Sequence, residues 1–430
     1  MTISTIAGLN TAQIASLSTT QIAKLTTLDM EAFSSEQLAA LTTAQLRALT
    51  STDLRALSVA QLSTGLSTRQ LVSLSTAQVA ALTVEQFSDG LTTTQLAALT
   101  SAQSAALSIA QVVALSNDEL AALSLASLAA LKTSAIAALS VDAVANALGT
   151  SQIAALSSRQ VGALGSAQLQ ALTSVQFNAL STAQLRALST TNLRVLDAGV
   201  LSALKTSQVA ALTTAQVFAL LAEQLGALGL EAIAALSTAQ IAALGSAQLQ
   251  QGLSTAQIAA LTTAQASALT TRQIAALTSA QIAAIETSDL AALRLVQLAA
   301  LRADAIGALT AAQVAALTSA QAAALTSVQL AAFDSSQIAA LTTRQAAVLT
   351  TRQVASLGTD QIAGFETADL AALSTAAVAA LTTLQLAAFT ADQIGALTTA
   401  QTAALTTRQI ASLADAQLAA FSTADFAALK

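Results

Sequence analysis

The chain has 430 residues, of which 54% are hydrophobic, 9% charged and 2% aromatic, and it contains no Pro, Cys, His, Trp or Tyr. Those absences rule out Ser-His-Asp and Cys-His nucleophile systems, conventional zinc sites, paired haem ligands and disulfides, so the expectation is no catalytic, cofactor-binding or metal-ligating residue and no enzyme. The net charge of -6 arises from 16 basic and 22 acidic residues spread thinly along the chain, which leaves no basic stripe for nucleic acid.

The N-terminus reads Met1-Thr2-Ile3-Ser4-Thr5, with no base before Lys24, and so lacks the charged start of a secretory signal peptide. The expectation is a chain not exported by that route, or a piece of a longer one. A mean hydropathy of +0.66 is membrane-like, yet Ser/Thr pairs and a Gln return at nearly every eighth position. A spanning helix needs about 20 consecutive apolar residues, so no membrane insertion is expected.

That eighth-residue return is the organising feature. Units such as Thr42-Thr43-Ala44-Gln45-Leu46-Arg47-Ala48-Leu49 and Ser237-Thr238-Ala239-Gln240-Ile241-Ala242-Ala243-Leu244 run from the N-terminal unit closing at Leu9 to the last, closing at Leu429. Counted on the closing residue there are about 53 repeats, four of them nine residues long and closing at Leu66, Leu91, Leu148 and Leu253. With no Pro and only scattered Gly, residues 1–430 read as one continuous array. Three of the nonads carry Gly before the closing Leu (Gly65, Gly90, Gly252) and the fourth carries Ala147; the Gly positions predict a left-handed or otherwise Cβ-intolerant backbone.

Each unit opens with Ser or Thr and places Gln three residues later, the pattern of a helix capping box. About 45 of the units carry Gln, Glu, Asp or Asn at that fourth position, which reads as a need for an acceptor. One long helix is excluded, because an octad advances about 80° beyond two full turns and successive leucines would spiral around a rod. Within one unit, positions one, four, five and eight share a face about 100° wide. Arg at position three (Arg69, Arg159, Arg272, Arg344, Arg352, Arg408) or six (Arg47, Arg55, Arg186, Arg194) points the opposite way. Ala, Leu and Gln are better helix than strand formers. The predicted fold is therefore all-α: an elongated solenoid of helices of six or seven residues, one per octapeptide. Each helix is too short to stand alone and depends on stacking. Two units per superhelical turn would give about 26 layers, a rod of roughly 200–260 Å at ~8–10 Å per layer.

Carboxylates such as Glu286, Asp289 and Asp304, or Asp360 and Glu366, read as helix-end electrostatics before an acid pair or cation site. Phe333, Phe365, Phe389 and Phe421 replace the closing Leu and read as core.

The unit [ST]-[ST]-x-Q-[ILV]-A-A-L, seen at Thr262-Thr263-Ala264-Gln265 and Thr398-Thr399-Ala400-Gln401, resembles the tandem octapeptide tracts of very large repetitive bacterial proteins described as surface or adhesin-like. The resemblance implies an extracellular or cell-surface scaffold and transfers no functional residue. Neither end shows a polar capping repeat, so the expected partner is a second copy of the chain, joined head to tail through Leu9 and Leu17 at one end and Phe421, Phe426 and Leu429 at the other. No small-molecule substrate is expected. The alternative is a binding module whose outward Thr/Arg face meets carbohydrate, ice or another surface. On the capping-box reading, Gln240→Ala should cost about 0.5–2 kcal/mol while Leu244→Asp, burying a charge in the core, should cost far more; thermal denaturation of the two variants checks the order.

Overall fold

A computed structural model of the chain describes residues 6–429; Met1–Thr5, on which the signal-peptide expectation rests, lie outside the described residues. From Thr11 to Ala428 there are 52 short helices in succession, 51 α-helices and one π-helical turn at Ala143–Ala147, one for each repeat. No strand occurs among the described residues. The contacts divide the chain into two compact units, Met1–Ala219 and Leu220–Lys430, each built from the same repeat.

In the first unit, the octad Thr42–Leu49 shows how the sequence makes the element. Thr42 is extended (φ -70°, ψ 158°), its hydroxyl accepts from Gln45 N–H at 3.3 Å, and Gln45 Oε1 accepts from Thr42 N–H at 2.7 Å. The helix Thr43–Ala48 opens with Leu46 N–H donating to Thr42 C=O (3.0 Å) and closes with Leu49 N–H reaching back only three residues, to Leu46 C=O (3.2 Å). Leu49 then returns to extended geometry (φ -66°, ψ 140°) and delivers the chain to the next cap. The same construction recurs in the second unit at Thr342–Leu349.

The helices are four to seven residues long, such as Thr343–Ala346 and Val59–Gly65, and so extend below the expected six or seven. The closing three-residue bond tightens the final turn and ends the α-helix early. The position-one residues are also not part of the buried face: Thr42 and Thr342 are exposed. A cap residue has extended dihedrals, so a helical projection misplaces it. Positions five and eight are the core: Leu46, Ile274 and Ile338 are fully buried, and Leu49, Leu341 and Phe333 nearly so. Phe365, Phe389 and Phe421 are likewise buried, and all ten of the arginines at positions three and six are exposed.

The chain in each unit winds around this core with between three and four octads to a turn, not two. Helix Thr43–Ala48 packs on the helix three octads later, Thr68–Ser73. Gln45 Nε2, in contrast, donates to Ile14 C=O (2.9 Å) and Leu17 C=O (2.7 Å), four octads earlier. Each helix thus sits across the gap between two helices of the adjacent turn.

No glycine has positive φ, which corrects the left-handed reading of the nonads. Close approach is what matters at two of them: a Cβ on Gly65 would lie 2.8 Å from Ser35 O, and one on Gly252 2.9 Å from Ala222 O. In both, the ninth residue extends the helix to seven, whereas before Leu148 it is absorbed in the π-turn.

The Gln is therefore both acceptor and donor, and its loss costs more than a cap. Gln345 Oε1 accepts from Thr342 N–H (2.7 Å) while Nε2 donates to Val314 C=O (2.8 Å) and Leu317 C=O (2.6 Å). Gln345→Ala should cost roughly 1.5–5 kcal/mol, since it strands the Leu317 carbonyl at ~1–3 kcal/mol and removes the cap interaction at Thr342 N–H at ~0.5–2 kcal/mol, while Val314 C=O keeps the Leu317 N–H (3.1 Å). Gln345→Glu keeps the acceptor but sets a carboxylate against those carbonyls. Its folded-state pKa should be raised, so denaturation should find it least stable at neutral pH and recovering as pH falls and the carboxyl is protonated.

Candidate functional site

The recurring polar structure is the contact between turns. The carbonyls at positions five and eight belong to the last turn of each short helix, where no intrahelical donor satisfies them fully. Gln from the following turn supplies that donor: Gln353 reaches Ala322 (3.0 Å) and Leu325 (2.7 Å), Gln401 reaches Leu370 (2.8 Å) and Leu373 (2.7 Å). Both Gln side chains are nearly fully buried, which is tolerable because both ends of the amide are paired.

Where the cap residue cannot accept, the Gln half persists: Gly149, Gly165, Lys205, Leu221 and Ala414 N–H all donate to the Oε1 of their Gln at 2.7–2.9 Å. In three units that lack Gln, other donors reach the same carbonyls. Ser127 Oγ donates to Leu99 C=O (2.8 Å), Asn192 Nδ2 to Leu164 C=O (3.0 Å) and Lys132 Nζ, from position one, to Leu107 C=O (2.8 Å).

A carboxylate has nothing to donate to a carbonyl, and at three units Asp at the fourth position uses a different neighbour. Thr263, at position two three octads back, donates its hydroxyl to Asp289 Oδ1 at 2.7 Å, and Thr343 and Thr399 stand in the same relation to Asp369 and Asp425. The hydroxyl of Ser422 holds the Asp425 carboxyl below its ordinary pKa against the opposing effect of burial. Burial raises that of Asp369, with the Thr343 hydroxyl opposing and the Glu366 charge adding to the rise.

The residues expected at an end-to-end contact fall on two faces. In the first turn, Leu9 and Leu17 are half-buried, and their carbonyls already accept from Gln37 and Gln45 of the next turn (2.7 Å each). Gln13 and Gln21 are exposed; each accepts from its cap N–H at 2.9 Å, and no acceptor meets their Nε2 among the described residues. In the last turn Phe421 is buried and meets Phe426 edge to face (centroids 5.9 Å apart), Phe426 is 50% exposed and Leu429 half-buried. The carbonyls of Ile410, Leu413, Leu418 and Phe421 receive no side-chain donor among the described residues. The octad pattern points to the apolar members of these faces and not to Gln13 and Gln21, because a capping box uses Gln only as an acceptor.

On the outer surface, a groove of about 870 Å³ runs between Thr326–Val328 and Thr350–Gln353, with Arg352 on its wall, and a smaller one repeats it an octad earlier at Thr318, Ser319, Thr342, Thr343 and Arg344. Asp304 pairs with Arg302 at 2.8 Å, apart from the buried Asp289. Among the described residues no three His, Cys, Asp or Glu side chains converge on a metal-sized site, and no helix is long and apolar enough to cross a membrane.

These features define a tandem-repeat protein with an all-helical solenoid fold, stacked through side-chain amides. The ALTTAQ repeat family matches six segments, residues 24–59, 146–174, 251–279, 282–319, 331–365 and 362–399. No curated protein matches the chain. Among solved structures, the leucine-rich repeat-containing protein LegL7 from Legionella pneumophila aligns over 66% of this chain and 78% of its own at 14% identity, with a TM-score of 0.17, too low to define a common fold.

Asp369→Asn isolates the burial effect. A folded pKa above the unfolded one means that the wild type loses stability as pH rises from the ordinary carboxyl range through the raised value. The variant should lack that loss: the two should match at low pH and the variant should be the more stable at neutral pH, as read by denaturant titration at both.

Proposed function

We propose that the chain is a non-enzymatic structural protein that associates end to end, as a filament or extended stalk at a bacterial cell surface. The observation that carries this reading is the complementarity of the two terminal faces. Exposed Gln13 and Gln21 offer amide donors, and the last turn offers the carbonyls of Ile410, Leu413, Leu418 and Phe421 beside the half-exposed ring of Phe426. Interior turns stack through the same pair of groups. Continuing the octad register from one molecule into the next sets Gln13 against Ile410 and Leu413, and Gln21 against Leu418 and Phe421. A head-to-tail contact of this kind does not close on itself and propagates.

A second reading, a module that binds carbohydrate or another surface, rests on the recurrence of the Thr/Arg groove along the outer face. Replacing Arg344 and Arg352 by Ala would remove binding on that reading and leave end-to-end growth intact on the first.

Negative-stain microscopy and light scattering of the 430-residue chain test the proposal. Filaments should form, and Gln13→Glu with Gln21→Glu, which keeps both caps but turns each donor into an acceptor, should abolish them with the circular dichroism spectrum unchanged. Monodisperse parent particles at high concentration across salt and pH, or undiminished filaments from the variant, would overturn it.

A further inference from the structure

Octads 116–148 form the one stretch in which four consecutive units lack Gln at the fourth position, holding Glu119, Ser127, Ala135 and Ala143 instead. Because a turn contains between three and four octads, the Gln bridge is missing from a complete turn. The residues that remain supply few donors to the turn beneath, residues 83–115. Ser127 Oγ reaches Leu99 C=O, and Lys132 Nζ reaches Leu107 C=O (2.8 Å) and, at 3.4 Å, Ala106 C=O. The Glu119 carboxylate only accepts, from Ser116 N–H and hydroxyl at 2.8 Å each, and Ala135 and Ala143 have nothing to donate. By contrast, Gln313, Gln321, Gln329, Gln345 and Gln353 each donate to the carbonyls of positions five and eight in the turn before.

Two further features coincide at this junction. Ser104 occupies a core position in the turn beneath, fully buried, and its hydroxyl has no partner among the described residues. The π-turn Ala143–Ala147 and its extra residue close the upper turn, 116–148. Asn117 Nδ2 donates to Asp142 Oδ2 at 2.8 Å, a bond between the first and last octads of the turn that adds nothing to its hold on the turn beneath.

We infer that the junction between residues 83–115 and 116–148 is a built-in opening point, where adjacent turns part first and reversibly while the stacks on either side stay wound. In a stack of repeats stability is set interface by interface, and local openings start where interactions are lost; at this junction the loss is of polar bridges that leave buried carbonyls unpaired, even though helices Ser101–Ala106 and Leu125–Ala130 pack closely across it. The junction gives the solenoid one compliant position in the first unit, independent of what its ends do.

Native-state hydrogen exchange of the full chain, read by mass spectrometry, tests this. Peptides within 83–148 should exchange at least tenfold faster than those within 313–361, and Ser127→Gln with Ala135→Gln should slow them toward the latter without change elsewhere. Equal protection in the parent chain, or no slowing in a double variant of native helix content, would overturn the inference. Should the double variant lose helix content, Lys132→Met decides: faster exchange confined to 83–148 supports the opening point, and unchanged exchange there removes it.

Discussion

Everything in this structure depends on one side chain doing two things. A primary amide offers an acceptor and a donor about 2 Å apart, and the Gln at position four spends the first on its own helix start and the second on the helix ends of the previous turn. A helix of five residues has almost all of its backbone groups at one terminus or the other, so a coil of such helices carries an unusual density of unsatisfied N–H and C=O. The Gln bridge answers both sets at once, and the aliphatic residues on either side of it keep water out of the contact.

The substitutions show which half of that arrangement is indispensable where. Gly149, Gly165 and Leu221 abandon the hydroxyl cap and keep the Gln. Lys132 abandons the Gln and supplies a donor from a different position to the same kind of carbonyl. Asp289 reverses the direction of the contact and takes a hydroxyl from the neighbouring turn. In these units the pairing of buried polar groups between turns is kept, and the residue that achieves it is negotiable.

Much of this was legible in the octapeptide. The period, the helical character, the caps and the burial of positions five and eight follow from spacing alone, as Thr42–Leu49 illustrates. What spacing could not convey was long-range: that Gln45 reaches Ile14 and Leu17, and therefore that a turn closes after more than three octads. A capping box accounts for Gln completely within one helix, and the amide nitrogen left over had no visible purpose until the preceding turn was in place. The position-one face was misjudged for a local reason, the extended dihedrals of a cap. The nonads were half legible, since the tight approach at Gly65 and Gly252 was foreseen but its cause was a neighbouring backbone and not a left-handed turn.

The position-four Gln bridges, such as those of Gln45, Gln95 and Gln345, point backward along the chain, from a residue to carbonyls 28 to 33 positions before it. An octad leaving the ribosome therefore needs only partners that have already been made. Contact distance stays constant however many repeats are added, so a longer array need not fold more slowly per turn, in contrast to folds whose closing contacts join distant ends. The solenoid can be wound as it is synthesised, each new turn laid on a finished surface, and its length can change by whole turns without altering the problem that any one turn has to solve.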